Sequence, residues 1–176
     1  MFIKEESFND EAIENIAKLI CVAARTSPKT RGIDVIKTMI VRGDSVKKIA
    51  DKMEEIYIKT GREAFNRNAE SVKKSPCIVL IGASIKTQGL VPCGYCGFKD
   101  CAENEKHGAV CAYNAIDLGI AVGSAVGAAA DFRIDNRLMW TVGIAAKELR
   151  VFEAGVSMIL GIPLSATGKN IFFDRK

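Results

Sequence analysis

The sequence predicts an α+β fold, a small mixed sheet flanked by helices, and three observations carry that expectation. Residues 77–83, CIVLIGA, form a short, β-branched apolar run between turn signals, the pattern of a central strand covered on both faces. Apolar stripes at helical spacing precede and follow it. Between them, residues 91–113, VPCGYCGFKDCAENEKHGAVCAY, gather four of the six cysteines within nineteen residues. That loop leaves the end of the central strand, where α/β sheets commonly build their sites.

At 176 residues and 48% hydrophobic, the chain is long enough for one well-buried core and short for two. A single domain over 1–176 is expected, with a metal-binding loop at 91–113. The net charge of +4 is mild and both signs are interspersed, which leaves no nucleic-acid footprint. The opening MFIKEESFND has acids where a signal peptide has a basic region, so a reducing cytoplasm is expected, where clustered cysteines are metal ligands or redox groups before they are disulfides.

In chain order, Phe2 and Ile3 suit a short edge strand. Ser7, Asn9 or Asp10 is placed to cap a first helix with Ile13, Ile16, Ala17, Ile20, Ala23 and Ala24 inward, ending at Pro28. The turn at 25–32, RTSPKTRG, has the hydroxyls and cations of a phosphate site. On sequence alone it reads first as a helix end, with Arg25 on the negative pole of the dipole and Ser27 and Thr30 in turns. Residues 34–41 read as a strand. A helix follows from Asp44 or Ser45, with Val46, Ile49, Ala50, Met53 and Ile56 inward and Gly61 as its stop. Residues 62–73 read as another helix.

Beyond the cysteines the pattern is helical, with Cys111 in its first turns, where the positive end of the dipole and nearby N–H donors stabilise an anionic ligand. Gly119, Gly123 and Gly127 fall four apart in LGIAVGSAVGAAA. Asp117 and Asp131 cut this apolar run below the ~18 residues that span a membrane, so no membrane is expected. The glycines imply close approach of another backbone, a partner subunit, a flat cofactor, or simple internal packing. Residues 135–137 read as a polar turn, 141–149 as a helix starting at Thr141 or Gly143, and 156–162 as a last strand broken at Pro163. In the tail, Ser165, Thr167, Gly168 and Lys169 are phosphate-friendly, and 171–173 should dock on the body or a second subunit.

The spacing Cys93-x2-Cys96-x4-Cys101-x9-Cys111 puts three thiols in a run and a fourth apart, which leans towards an iron-sulfur cluster; zinc sites more often pair two similar knuckles. Zinc, and unmetallated thiols including a Cys93/Cys96 redox pair, stay open. His107 reads as a solvated loop histidine, and Cys21 and Cys77 as small buried hydrophobes.

The segments CGYCGFKDC with Cys111, DLGIAVGSAV at 117–126, DNR at 135–137 and GIPLSATGKNIFFDR at 161–175 resemble a prokaryotic family described only as containing a ferredoxin domain. The resemblance covers nearly the whole chain. It implies a 4Fe-4S cluster on Cys93, Cys96, Cys101 and Cys111 and supplies no reaction. The local Cys-Gly-x-Cys-Gly-x3-Cys motif is similar to the cluster loop of corrinoid iron-sulfur proteins and of some membrane electron-transport subunits, whose fourth cysteine usually lies further downstream than Cys111. A further resemblance, to the flavin-binding nitroreductases, rests on the basic turn after the first helix, the small-residue helices after ENEKHGAV and the Gly-Ile-Pro strand end with a lysine beyond. It implies Arg25, Ser27 and Lys169 on an FMN phosphate, and a domain-entwined homodimer.

The expected function is that of an iron-sulfur redox protein moving single electrons between partner proteins or to a bound flavin. The rivals are a structural zinc module without redox activity and an FMN-dependent reductase whose cysteine loop is structural.

Overall fold

A computed structural model of the chain describes residues 1–5 and 8–173. Its helices are α1 (Asn9–Thr26), α2 (Asp44–Thr60), α3 (Glu63–Lys73), α4 (Cys101–Lys106), α5 (Ala112–Asp131) and α6 (Trp140–Glu148). Its strands are β1 (Ile36–Arg42), β2 (Cys77–Ser84), β3 (Asp135–Asn136) and β4 (Val156–Ser165), in the order β1-β2-β4-β3. The α+β class stands, but every pairing of these strands is antiparallel, so the sheet is not mixed. Between β1 and β2 the chain crosses the sheet twice, along α2 and α3, and re-enters from the end it left.

The alternation of β2 builds two cores. Cys77, Val79, Ile81 and Ala83 pack with Ile13, Ala17, Ile20 and Ala24 of α1 and with Leu118, Ala121, Val122, Ala125 and Ala129 of α5. Ile78 and Leu80 face the other way, onto Val46, Ile49 and Met53 of α2, Phe65 and Val72 of α3, and Val142 and Ala145 of α6. A strand buried on both faces needs apolar residues at every position, and seven of the eight in β2 are buried. On the second face α6 lies directly on β4: a Cβ on Gly143 would sit 1.7 Å from the Ile159 carbonyl oxygen.

Several elements depart from expectation. Phe2 and Ile3 are exposed and form no strand. Asn9 opens α1 and gives its side-chain amide to the Ala166 carbonyl at 3.2 Å, so no side chain caps the helix; Ser7 lies outside the described residues. Gly43 precedes α2, so Asp44 and Ser45 are inside the helix, which stops at Gly61 in the left-handed conformation as expected.

β4 runs through Pro163, which stands opposite Ile78. Ladder N–H groups alternate in direction. Gly161 gives its own to Met139, so Pro163, lacking one, turns toward the gap between Asn136 and Met139 where β3 does not pair. Asp135 and Asn136, expected in a turn, pair with Ser165 and Leu164 as β3. In the tail Phe172 is buried in the second core, while Phe173 is exposed with the Arg137 guanidinium over its ring at 5.3 Å.

Candidate metal centre

β2 ends at Ser84 and delivers the loop to the end of the sheet shared with the C-terminus of α1 and the N-terminus of α5. Asn114, fully buried in the first turn of α5, clasps the outgoing strand: its Oδ1 accepts the Lys86 N–H at 3.0 Å and its Nδ2 donates to the Lys86 carbonyl at 2.9 Å. Asp117, one turn on, accepts from the Thr30 N–H at 3.0 Å and hydroxyl at 2.8 Å. The neighbouring Arg31 donates to the carbonyls of Gln88 at 2.7 Å and Gly89 at 3.3 Å. The turn between α1 and β1 is therefore a brace between α5 and the start of the loop.

Beyond the brace, Cys93, Cys96, Cys101 and Cys111 line one small hollow, together with Thr87, Tyr95, Asn104 and Tyr113. Gly94 and Gly97 have φ of +117° and +86°, and the Gly97 N–H donates to the Gly94 carbonyl at 2.8 Å. Side chains rarely adopt such angles, so glycine after each of the first two thiols lets the loop curl round the hollow. Cys101 begins α4, whose N-cap Asp100 accepts the Glu103 N–H at 2.9 Å, while Glu103 reaches back to the Lys99 N–H at 2.7 Å. Cys111 is the N-cap residue of α5 and is buried; Cys93 is exposed, and Cys96 and Cys101 are half-buried. The rings of Tyr95 and Tyr113 stack at 5.6 Å across the mouth. Partial burial raises the Tyr113 phenol above its ordinary value, with further contributions from Tyr95, Cys93 and Cys111.

Among the described residues no three Cys, His, Asp or Glu side chains are gathered closely enough to hold one metal ion. The four thiols surround a space instead. That donor set, all sulfur and arranged about a cavity, fits a compact inorganic cluster with thiolate at its corners. His107 lies outside the hollow, stacked on Phe98 at 5.1 Å with its Nδ1 2.9 Å from the Glu103 carbonyl oxygen. Cys77 is buried in the first core, and burial pushes its thiol up to about 12; burial also raises Cys21, which is half-buried.

Arg25, Ser27 and Lys169 do not converge. Arg25 pairs with Asp34 at 2.6 Å and donates to the Ile36 carbonyl at 2.8 Å, and the Ser27 hydroxyl donates to Ala24 at 2.8 Å. Lys29 also donates to carbonyls at the end of α1 and just beyond it, those of Ala24, Arg25 and Ser27. Lys169 follows β4 at the opposite end of the sheet, beside Asn170, which donates to Asp135 at 2.8 Å. Ile36 stands level with Ala83 and Met158, and Asp135 with Ser165. Seven strand residues, roughly 20 Å, therefore separate the two groups. Within one chain the three do not form a phosphate cradle.

Sequence reasoning missed α4, the stacked tyrosines and the inward-facing Asn104 and Asn114. Asp100-x2-Glu103 is a capping-box spacing and was a legible signal for α4. Isolated asparagines carry no such signal.

The outward side of α5 settles the glycine stripe. A Cβ on Gly119, Gly123 or Gly127 would meet nothing within 4 Å, and Ile116 and Ile120 beside them are exposed. Internal packing therefore does not account for these glycines. α5 is long and apolar enough by length and composition alone to cross a membrane; its other face is packed on α1 and the sheet.

The three-layer arrangement defines the class: this is a nitroreductase fold. A nitroreductase with bound FMN from Desulfitobacterium hafniense DCB-2 superposes with a TM-score of 0.62 over 89% of this chain and 79% of that one, at 15% identity. A nitroreductase family protein from Clostridium novyi NT gives 0.61 over 86% and 73%, at 19% identity. A BluB-like flavoprotein from Clostridium difficile 630 gives 0.55 over 89% and 84%, at 21% identity. Within that class the chain belongs to the family described as "uncharacterized protein containing a ferredoxin domain", which matches residues 107–175. An uncharacterized protein of Archaeoglobus fulgidus is 44% identical, covering 99% of this chain and 98% of its own. The matched segment holds Cys111 and the outward stripe of α5; the first three cysteines precede it.

Proposed function

We propose that the chain is a 4Fe-4S redox protein in which Cys93, Cys96, Cys101 and Cys111 are the ligands. The observation that carries this reading is the single hollow lined by all four thiols, whose order along the chain, three in a run and one apart, leans towards a cluster over one zinc ion. A bound cluster would supply one-electron chemistry. The chain's own residues divide the remaining work. Gly94 and Gly97 let the loop close round sulfur, and Cys111 presents its thiolate at the positive end of the α5 dipole. Tyr95 and Tyr113 limit water at the mouth, and exposed Cys93 marks the side where a redox partner protein approaches.

The outward stripe of α5 supports the second element of the reading, a homodimer. It combines Ile116 and Ile120 with three glycines that allow a second backbone close approach, and from 112 to 130 the one charged side chain, Asp117, is buried. FMN as electron acceptor is the alternative that the fold suggests. A phosphate site made of Arg25, Ser27 and Lys169 would require contributions from two chains.

Iron, zinc and acid-labile sulfide per chain, measured on protein purified without oxygen, test the assignment. About four irons and four sulfides are expected. One zinc with little sulfide would make the loop a structural zinc module. A yellow protein that keeps its flavin after Cys93→Ser would move the chemistry to a flavin site.

A further inference from the structure

β1 is an edge of the sheet, and its backbone groups alternate between β2 and the open side. The Ser84 N–H donates to the Val35 carbonyl at 2.9 Å, so the odd-numbered residues face β2. Ile36 faces away: its N–H donates to Asp34 Oδ1 at 3.0 Å, and its carbonyl accepts from Arg25 at 2.8 Å. The same alternation turns the N–H and carbonyl of Thr38, Ile40 and Arg42 outward, and none of these three residues is buried. Among the described residues no hydrogen bond closes those outward groups. Arg25 and Asp34 thus plug one end of the edge and leave the rest open.

An open edge is a template for one more extended segment. Beside it runs an apolar groove formed by Met39 and Val41 of β1, Ile49 of α2, and Leu149 and Val151. Lys48 and Arg42 add positive charge there, and no carboxylate lines the groove. Arg42 is matched by Glu14 at 2.8 Å, whereas Lys48 forms no ion pair among the described residues. The chain carries a segment of complementary character. Met1 and Phe2 are fully exposed and Ile3 largely so, and Lys4, Glu5 and Glu6 follow in the sequence. In an extended segment alternate side chains share a face, which groups Met1, Ile3 and Glu5: two apolar side chains for the groove and a carboxylate for Lys48. Within its own chain this segment is held at the head of α1, where the Glu5 carbonyl accepts the Phe8 N–H at 3.1 Å.

We propose that residues 1–5 of a second copy lie along the open edge of β1 and extend the sheet, with Met1 and Ile3 in the groove and Glu5 on Lys48. Thr38 to Arg42 spans about 13 Å, the length of five extended residues, and offers three donors and three acceptors. A reciprocal exchange between two copies closes as a dimer and leaves neither β1 edge open. This contact is separate from the cysteine hollow and from the outward face of α5.

The test follows amide hydrogen exchange by NMR, residue by residue, with Lys37, Met39 and Val41, which face β2, as the internal reference. Residues 1–5 belong to neither core, so a chain lacking them keeps its fold. Thr38, Ile40 and Arg42 should exchange at least about tenfold slower in the full chain than in the shortened one. Adding unlabelled full chain to the isotopically labelled shortened chain should restore slow exchange, because the segment comes from another copy. Lys48→Glu should speed exchange at the three residues, and Glu5→Lys added to that variant should slow it again. Equal exchange in the full and shortened chains would overturn the proposal. A difference that mixing does not restore would place the segment on its own β1 and overturn the second copy as occupant. Lys48→Glu without effect would overturn the placement of Glu5.

Discussion

β2 and the cysteine loop are consecutive in the chain, yet different forces shape them. β2 is held by burial, with apolar side chains inserted into a core on each face. Burial is non-directional and large, roughly 25 cal/mol for each Å2 of apolar surface removed from water. The loop is held at points, by Asn114 on Lys86, Arg31 on Gln88, Asp100 on Glu103 and Asn104 on Val110. Each such bond contributes a net ~0.5–1.5 kcal/mol. The sheet therefore keeps its form independently of the loop, whereas the loop depends on its few polar ties.

Gly143→Ala should break the first half of that contrast with the largest effect. The new methyl would overlap the Ile159 carbonyl, and α6 must lift from β4. A loss of at least about 3 kcal/mol is expected in urea unfolding, while iron per folded chain stays at the parental level. Parental stability would mean that α6 does not rest on the strand backbone.

Cys111→Ser acts on the other half. It should remove the bound iron, yet leave the main unfolding transition within about 1 kcal/mol of the iron-free parent. Cys93→Ser, at the exposed corner, should retain more iron than Cys111→Ser. If metal removal instead melted the sheet, the two regions would be one cooperative unit.

Alkaline pH separates the regions through Cys77. Its folded thiol is raised by burial to about 12 from an ordinary 9.0, so between those values the unfolded chain has released a proton that the folded chain still binds. Stability is therefore unaffected by this group below pH 9.0 and falls as pH rises towards 12, by up to about 1.4 kcal/mol per unit. Cys77→Val should flatten that decline in a series of urea melts. A decline that survives the substitution would place its cause elsewhere.

Gly123→Ala should give the smallest change and the sharpest sign. Nothing lies within 4 Å of the new methyl, so helix propensity alone stabilises the monomer by about 0.5–1 kcal/mol. If α5 meets a second copy along this stripe, sedimentation should show weaker association in the same variant. A variant both more stable and equally associated would separate the interface from the glycines.

The contrast also explains what the sequence made legible. β2, the stripes of α1 and α2, and the Gly61 stop follow from periodicity and backbone permissiveness, local properties that survive into the fold. The four cysteines were legible because their chemistry is rare and their spacing short. The polar ties were not. Asp117 and Thr30 are 87 residues apart and Arg31 and Gln88 are 57, and no local pattern announces a pairing made only after the sheet has formed. Arg25 and Lys169 present the reverse case: residue types that suit one anion, at positions the strand register holds apart within one chain.

The clasp of Asn114 on Lys86 also makes α5 a ruler laid across the molecule. The helix is pinned at its first turn, beside the thiol of Cys111, and its twenty residues extend about 30 Å from that point. Its inward side is packed on α1 and the sheet along that length, so the outward glycines stand at fixed distances from the cysteine hollow.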